Sequence, residues 1–149
     1  MTPEEYLVSH REESLRDLME FLAIPSISGI PSHAGDVRAA AEWLRHRLER
    51  ARFDAVRVEE TGGHPVVTAK TPHRPNRPTV LVYGHYYVQP VDPLDSWTSA
   101  PFSPTVRDGK IFGRGAADDK GQLFMHVLAA EACVATNTLP INLLFLFRV

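Results

Sequence analysis

A single cysteine, Cys133, excludes an internal disulfide, so the fold must rest on packing and hydrogen bonds. Charge of one sign is also missing. Sixteen Lys and Arg against eighteen Asp and Glu give a net charge of −2, with no basic field to gather nucleic acid or an anionic membrane. The longest apolar run, Leu143–Phe147 with Ile141 just before it, is far too short to span a bilayer. Glu4, Glu5, Arg11, Glu12 and Glu13 occupy the stretch where a secretory leader needs an apolar centre, so a cytoplasmic location is expected. No internal repeat or low-complexity segment is visible. What is present, 149 residues of which 44% are hydrophobic and 23% charged, suits one globular domain with a real core.

Thr2-Pro3-Glu4-Glu5 combines an N-cap threonine, a proline at the first helical position and a capping-box glutamate. With Leu7, Leu15, Leu18, Met19 and Leu22 at helical spacing, it predicts a first helix running to about Ala23. Pro25 and Pro31 bracket a loop. Ser32 is the expected cap of a second helix, whose apolar face is Val37, Ala40, Ala41, Leu44, Leu48 and Ala51. The charges between Arg45 and Arg57 read as a solvated helix face. Ala55–Glu59 and Pro65–Ala69 read as strands joined by Thr61-Gly62-Gly63-His64, and Pro72–Pro78 as an exposed connector. Asp108-Gly109 predicts a tight hairpin. A third helix is expected from about Asp119 to Thr136, ended by Asn137 in the left-handed conformation. Ile141–Phe147 reads as a strand buried on both faces.

The stretch from Thr79 to Gly121 organises these elements. Thr79-Val80-Leu81-Val82-Tyr83 reads as a buried strand, which leaves His85 just past its C-terminal end, where open α/β sheets bind ligands. Asp118 and Asp119 follow Gly113-Arg114-Gly115 and open the third helix. Strand, helix and apolar strand around that turn make a βαβ unit, so the class is α/β. An imidazole and a carboxylate on the rims of two rigid elements suggest a metal site. The plainer alternatives are a surface histidine and a pair of aspartates that cap their own helix. His10, His33, His46, His64, His73 and His126 carry no spacing that argues for a site, and His126 reads as structural.

Tyr83-Gly84-His85-x-x-Val88-Gln89-Pro90, Trp97, Pro101-Phe102, Asp108-Gly109-Lys110 and Gly113-Arg114-Gly115-x-x-Asp118-Asp119-Lys120-Gly121 together resemble one family. It is the co-catalytic zinc peptidase family of carnosinase-type dipeptidases, carboxypeptidase G, acetylornithine deacetylase and succinyl-diaminopimelate desuccinylase, with the dipeptidase branch nearest. The first helix and Phe21–Ser28 extend the resemblance over the whole chain, residues 1–149. The resemblance implies a mixed sheet flanked by helices, two zinc ions, and hydrolysis of peptide or N-acyl amino-acid bonds. It implies that His85 ligates one zinc, that Asp118 bridges both, and that a cis peptide precedes Asp119.

Where the family has an aspartate two positions after its metal histidine, this sequence has Tyr87. A phenol is a weaker acceptor than a carboxylate, so His85 is expected to be poorly oriented unless Tyr87 turns into the core and water serves instead. The family's strand matching Ile141–Phe147 runs into the motif carrying the general base and the next ligand; here Arg148-Val149 follow. The lid domain and distal ligands have no counterpart. Of the family's metal ligands the sequence carries only His85 and Asp118. The expectation is therefore a truncated N-terminal part of the catalytic domain, inactive alone, with no catalytic residue of its own. A second chain supplying the missing half, or reuse as a small binding protein, are the alternatives. Substrate and oligomeric state are not read from the sequence.

Overall fold

The computed structural model describes residues 1–149. In chain order the elements are α1 (Pro3–Ser9), α2 (Arg11–Ala23), α3 (Ala34–Arg50), β1 (Asp54–Glu59), β2 (Val66–Lys70), β3 (Thr79–His85), β4 (Thr105–Arg107), β5 (Lys110–Phe112), α4 (Lys120–Ala135) and β6 (Asn142–Arg148). No helix is long and apolar enough to cross a membrane.

The capping box forms as the sequence predicts, Thr2 and Glu5 satisfying each other's backbone N–H. The single first helix does not. It breaks at His10, whose ring stacks on Tyr6 at 4.0 Å and whose Nδ1 lies 2.9 Å from the Tyr6 carbonyl oxygen. A side chain bonding its own preceding turn competes with helix continuation. Ser32 is not a cap either. Pro31 opens a short 3-10 turn through His33, and α3 starts only at Ala34, with His33 Nδ1 and Asp36 Oδ2 2.7 Å apart.

The main sheet is mixed, in the order β1-β2-β6-β3. β1–β2 and β2–β6 are antiparallel, and β3–β6 is parallel, with Thr79 opposite Asn142 and His85 opposite Arg148. The β3–α4–β6 crossover is thus the βαβ unit expected. Asp108 and Gly109, both at positive φ, turn the separate β4–β5 hairpin, and Asn137, at φ 57°, follows α4. Helices cover one face of the sheet. There Val67, Ala69, Phe145 and Phe147 meet Val37, Leu44, Leu48, Phe124 and Val127, with Phe53 stacked on Phe145 at 5.1 Å.

Two burial expectations fail together. β3 is not a buried strand but an edge, with Leu81 and Tyr83 each 55% exposed. β6 lies inside the sheet but is buried on one face only, since Leu144 points to the uncovered side. Apolar content marks both as strands; which face is covered depends on strand order, which a run of five residues does not encode. The α3 charges are not all solvated. Arg47 is buried, its Nε donating to Asp17 and its Nη atoms to both Glu131 oxygens.

Candidate metal centre

β3 delivers His85 at its last residue. In a parallel ladder, successive amides point to opposite sides of the strand. Tyr86 N–H donates across to Arg148 O on β6 at 3.0 Å, so the His85 N–H points to the free edge. Asp119 Oδ2 accepts it there at 3.0 Å. Asp119 is the N-cap residue of α4, yet its side chain makes no cap bond, so the expected capping role is absent and the carboxylate is spent on β3. The preceding Asp118–Asp119 peptide is cis, as the resemblance implies.

Asp118 reaches the same place from the other side. Its Oδ1 is 3.1 Å from His85 Nε2, and its side chain is otherwise open to solvent at 81% exposure. The turn that carries it is packed closely: a Cβ on Gly115, at φ 85°, would stand 2.7 Å from Val88 Cγ1. Arg114 lies over Trp97 and donates to Pro90 O at 3.0 Å, tying this turn to the loop after β3.

Tyr87 takes neither of the two expected roles. Tyr86 and Val88 are buried on either side of it, so alternation along this extended segment turns Tyr87 away from the core. Its ring lies against the His85 imidazole, centroids 4.5 Å apart, and its backbone carbonyl oxygen is 3.4 Å from His85 Nδ1. The residue that replaces the family's carboxylate thus presents its main-chain oxygen to the ring nitrogen, and the phenol makes no bond there.

Lys120, next to the aspartate pair, is a site residue that motif reading left without a role. It is fully buried, with Nζ donating at 2.8 Å to both Phe21 O and Ile24 O at the end of α2. Burial pushes its ammonium down from 10.5 to about 7. The sequence did hold a signal. A lysine in the first turn of a helix opposes the macrodipole and calls for acceptors elsewhere.

The remaining histidines stay apart. His10 and His33 are engaged locally, His46 stands near Glu49, His64 faces Ser28 O, and His126 is exposed on α4 rather than structural. No group of three or more His, Cys, Asp and Glu side chains converges anywhere. An imidazole nitrogen and a free carboxylate 3.1 Å apart suit one edge of a zinc site. A catalytic zinc takes three protein ligands, and Asp119 is already occupied by His85 N–H. These residues alone therefore do not complete a zinc centre, and no chemical step is routed through one.

Residues 81–149 match the profile of peptidase family M20/M25/M40. The beta-Ala-His dipeptidase of Rattus norvegicus is 31% identical over 97% of this chain and 32% of its own length. The Cys-Gly metallodipeptidase dug1 of Schizosaccharomyces pombe is 42% identical over 56% of this chain and 18% of its own. Among solved structures, the dipeptidase Dug1p of Saccharomyces cerevisiae superposes with a TM-score of 0.87 at 27% identity, over 96% of this chain and 33% of that one. The chain thus spans about a third or less of the length of these relatives.

Proposed function

As this chain is an N-terminal part of a peptidase family M20/M25/M40 catalytic domain, we propose that it supplies the first two donors, His85 and Asp118, to the zinc centre of a dipeptidase-type hydrolase. The substrate class is a dipeptide or an N-acyl amino acid. The observation that carries this reading is the 3.1 Å approach of His85 Nε2 to Asp118 Oδ1, residues 33 apart in sequence, at the rim of the sheet. Arg148 stands opposite His85 in the β3–β6 register, so the C-terminal ends of two parallel strands meet there. Donors arriving at that rim, from this polypeptide or another, would complete the site. Residues 1–149 alone hold no general base beside the pair and do not turn over substrate. Loss of a general base by itself removes about two to four orders of magnitude.

The test is hydrolysis of a dipeptide panel by purified residues 1–149 with and without added zinc. No turnover above background is expected. Zinc-dependent hydrolysis abolished by His85→Ala would contradict the claim of inactivity.

A second reading, non-catalytic reuse as an interaction module, is favoured by the uncovered sheet face bearing Leu81, Tyr83 and Leu144. Under that reading a substitution at His85 leaves every binding property of the chain unchanged.

A further inference from the structure

We propose that Asp119 is a positioning residue that sets the His85–Asp118 pair in place before any metal arrives, with Gly84 as the position that lets it approach. The pair's role as donors rests on the reading above. The positioning itself does not, and its test needs no metal.

Three observations converge. First, Asp119 forgoes the bond an N-cap aspartate ordinarily makes to its own helix. Second, the amide it accepts instead belongs to His85 and points off the free edge of β3, where no strand of residues 1–149 pairs it. A charge-assisted bond to that amide joins the end of β3 directly to the start of α4. Third, the approach is tight enough that a methyl on Gly84 would push the Asp119 carboxylate aside by a few tenths of an ångström. A Cβ on Gly84 would lie 3.1 Å from Asp119 Oδ2 and 3.4 Å from Leu123 Cβ.

The consequence follows from geometry. Asp118 touches the rest of the site only through His85 and is otherwise solvated, so its own contacts do not hold it. Its neighbour Asp119 is bonded to the backbone of the very residue whose ring Asp118 faces. Releasing Asp119 removes the one bond that joins the strand end directly to the start of α4, and with only the Arg114 and Gly115 contacts left the 3.1 Å approach loosens while the core below remains packed.

The experiment measures single-residue hydrogen exchange and the His85 ring resonances in residues 1–149, as wild type, Asp119→Ala, Asp119→Asn and Gly84→Ala. In Asp119→Ala the His85 amide should exchange at least about tenfold faster, while Val82, which faces β6, is unchanged. Asp119→Asn, which keeps an acceptor, should show a smaller rise. Gly84→Ala should raise His85 exchange with the carboxylate still present. A purely structural role would not move a further readout. Asp118→Asn should shift the His85 ring resonances in the wild-type background and have little effect in Asp119→Ala. Should Asp119→Ala fail to fold, Gly84→Ala and Asp119→Asn carry the decision. Wild-type exchange at His85 in the folded variants, or an undiminished Asp118→Asn shift in the Asp119→Ala or Gly84→Ala background, overturns the proposal.

Discussion

His85 turns its Nδ1 toward the backbone carbonyl of Tyr87 at 3.4 Å and its ring face toward the Tyr87 phenol. Tyr87 thereby holds the imidazole through two groups, so that Nε2 faces Asp118. A carboxylate would be a stronger acceptor than a carbonyl at that distance. Tyr87→Asp is therefore expected to tighten zinc binding by about tenfold, the low end of what such partners contribute. Tyr87→Phe should leave it unchanged, because the hydroxyl makes no bond at the site. Calorimetry on both variants decides. Equal affinity for wild type and Tyr87→Asp would show that the carbonyl already suffices.

Self-association should run through β3. β6 is paired on both sides, and the unpaired edge belongs to Thr79–Tyr83, which carries no charge or proline. Leu81→Lys should raise the monomer fraction in sedimentation velocity, whereas Leu143→Val, on the covered face, should not. A wild-type chain that is already monomeric would contradict this.

Lys120 gives stability a pH slope of known sign. Its folded pKa, about 7, lies below the unfolded 10.5. Between these values the unfolded chain binds more protons, so the stability it contributes rises with pH and is lost as pH falls through 7. Urea denaturation of wild type and Lys120→Met at pH 7 and pH 9.5 should show the difference between them moving in favour of wild type at the higher pH. A pH-independent difference would show that the lysine keeps its ordinary affinity for protons in the fold.

Arg47 is expected to matter more than any surface arginine. Arg47→Leu strands Glu131 with little solvent and leaves Asp17 with Arg50 alone, a change to a buried ion-pair network that typically costs about 3–5 kcal/mol. Arg38→Leu, which breaks only an exposed, solvent-screened pair with Glu60, should cost far less. Chemical denaturation compares the two, and equal costs would mean that the buried network is not holding α2, α3 and α4 together.

Local chemistry was legible in the sequence; coverage was not. The Thr2–Glu5 box, the Asp108-Gly109 turn and the Asn137 helix stop each depend on a few adjacent residues, and each forms. His85 and Asp118 could be paired because each sits at the end of an element whose type was clear, and the structure brings them together. The break at His10 and the failed cap at Ser32 turn on side-chain competition within a single turn. The exposure of β3 and the burial of Arg47 depend on which elements lie beside them. No local window contains that information.

The central claim is that His85 and Asp118 are metal donors, and zinc titration of residues 1–149 by calorimetry tests it most directly. Wild type should bind zinc weakly at one site per chain. His85→Ala and Asp118→Ala should each weaken that binding by at least about tenfold, with the His46→Ala control unchanged. Zinc binding that survives both substitutions unchanged would contradict the assignment.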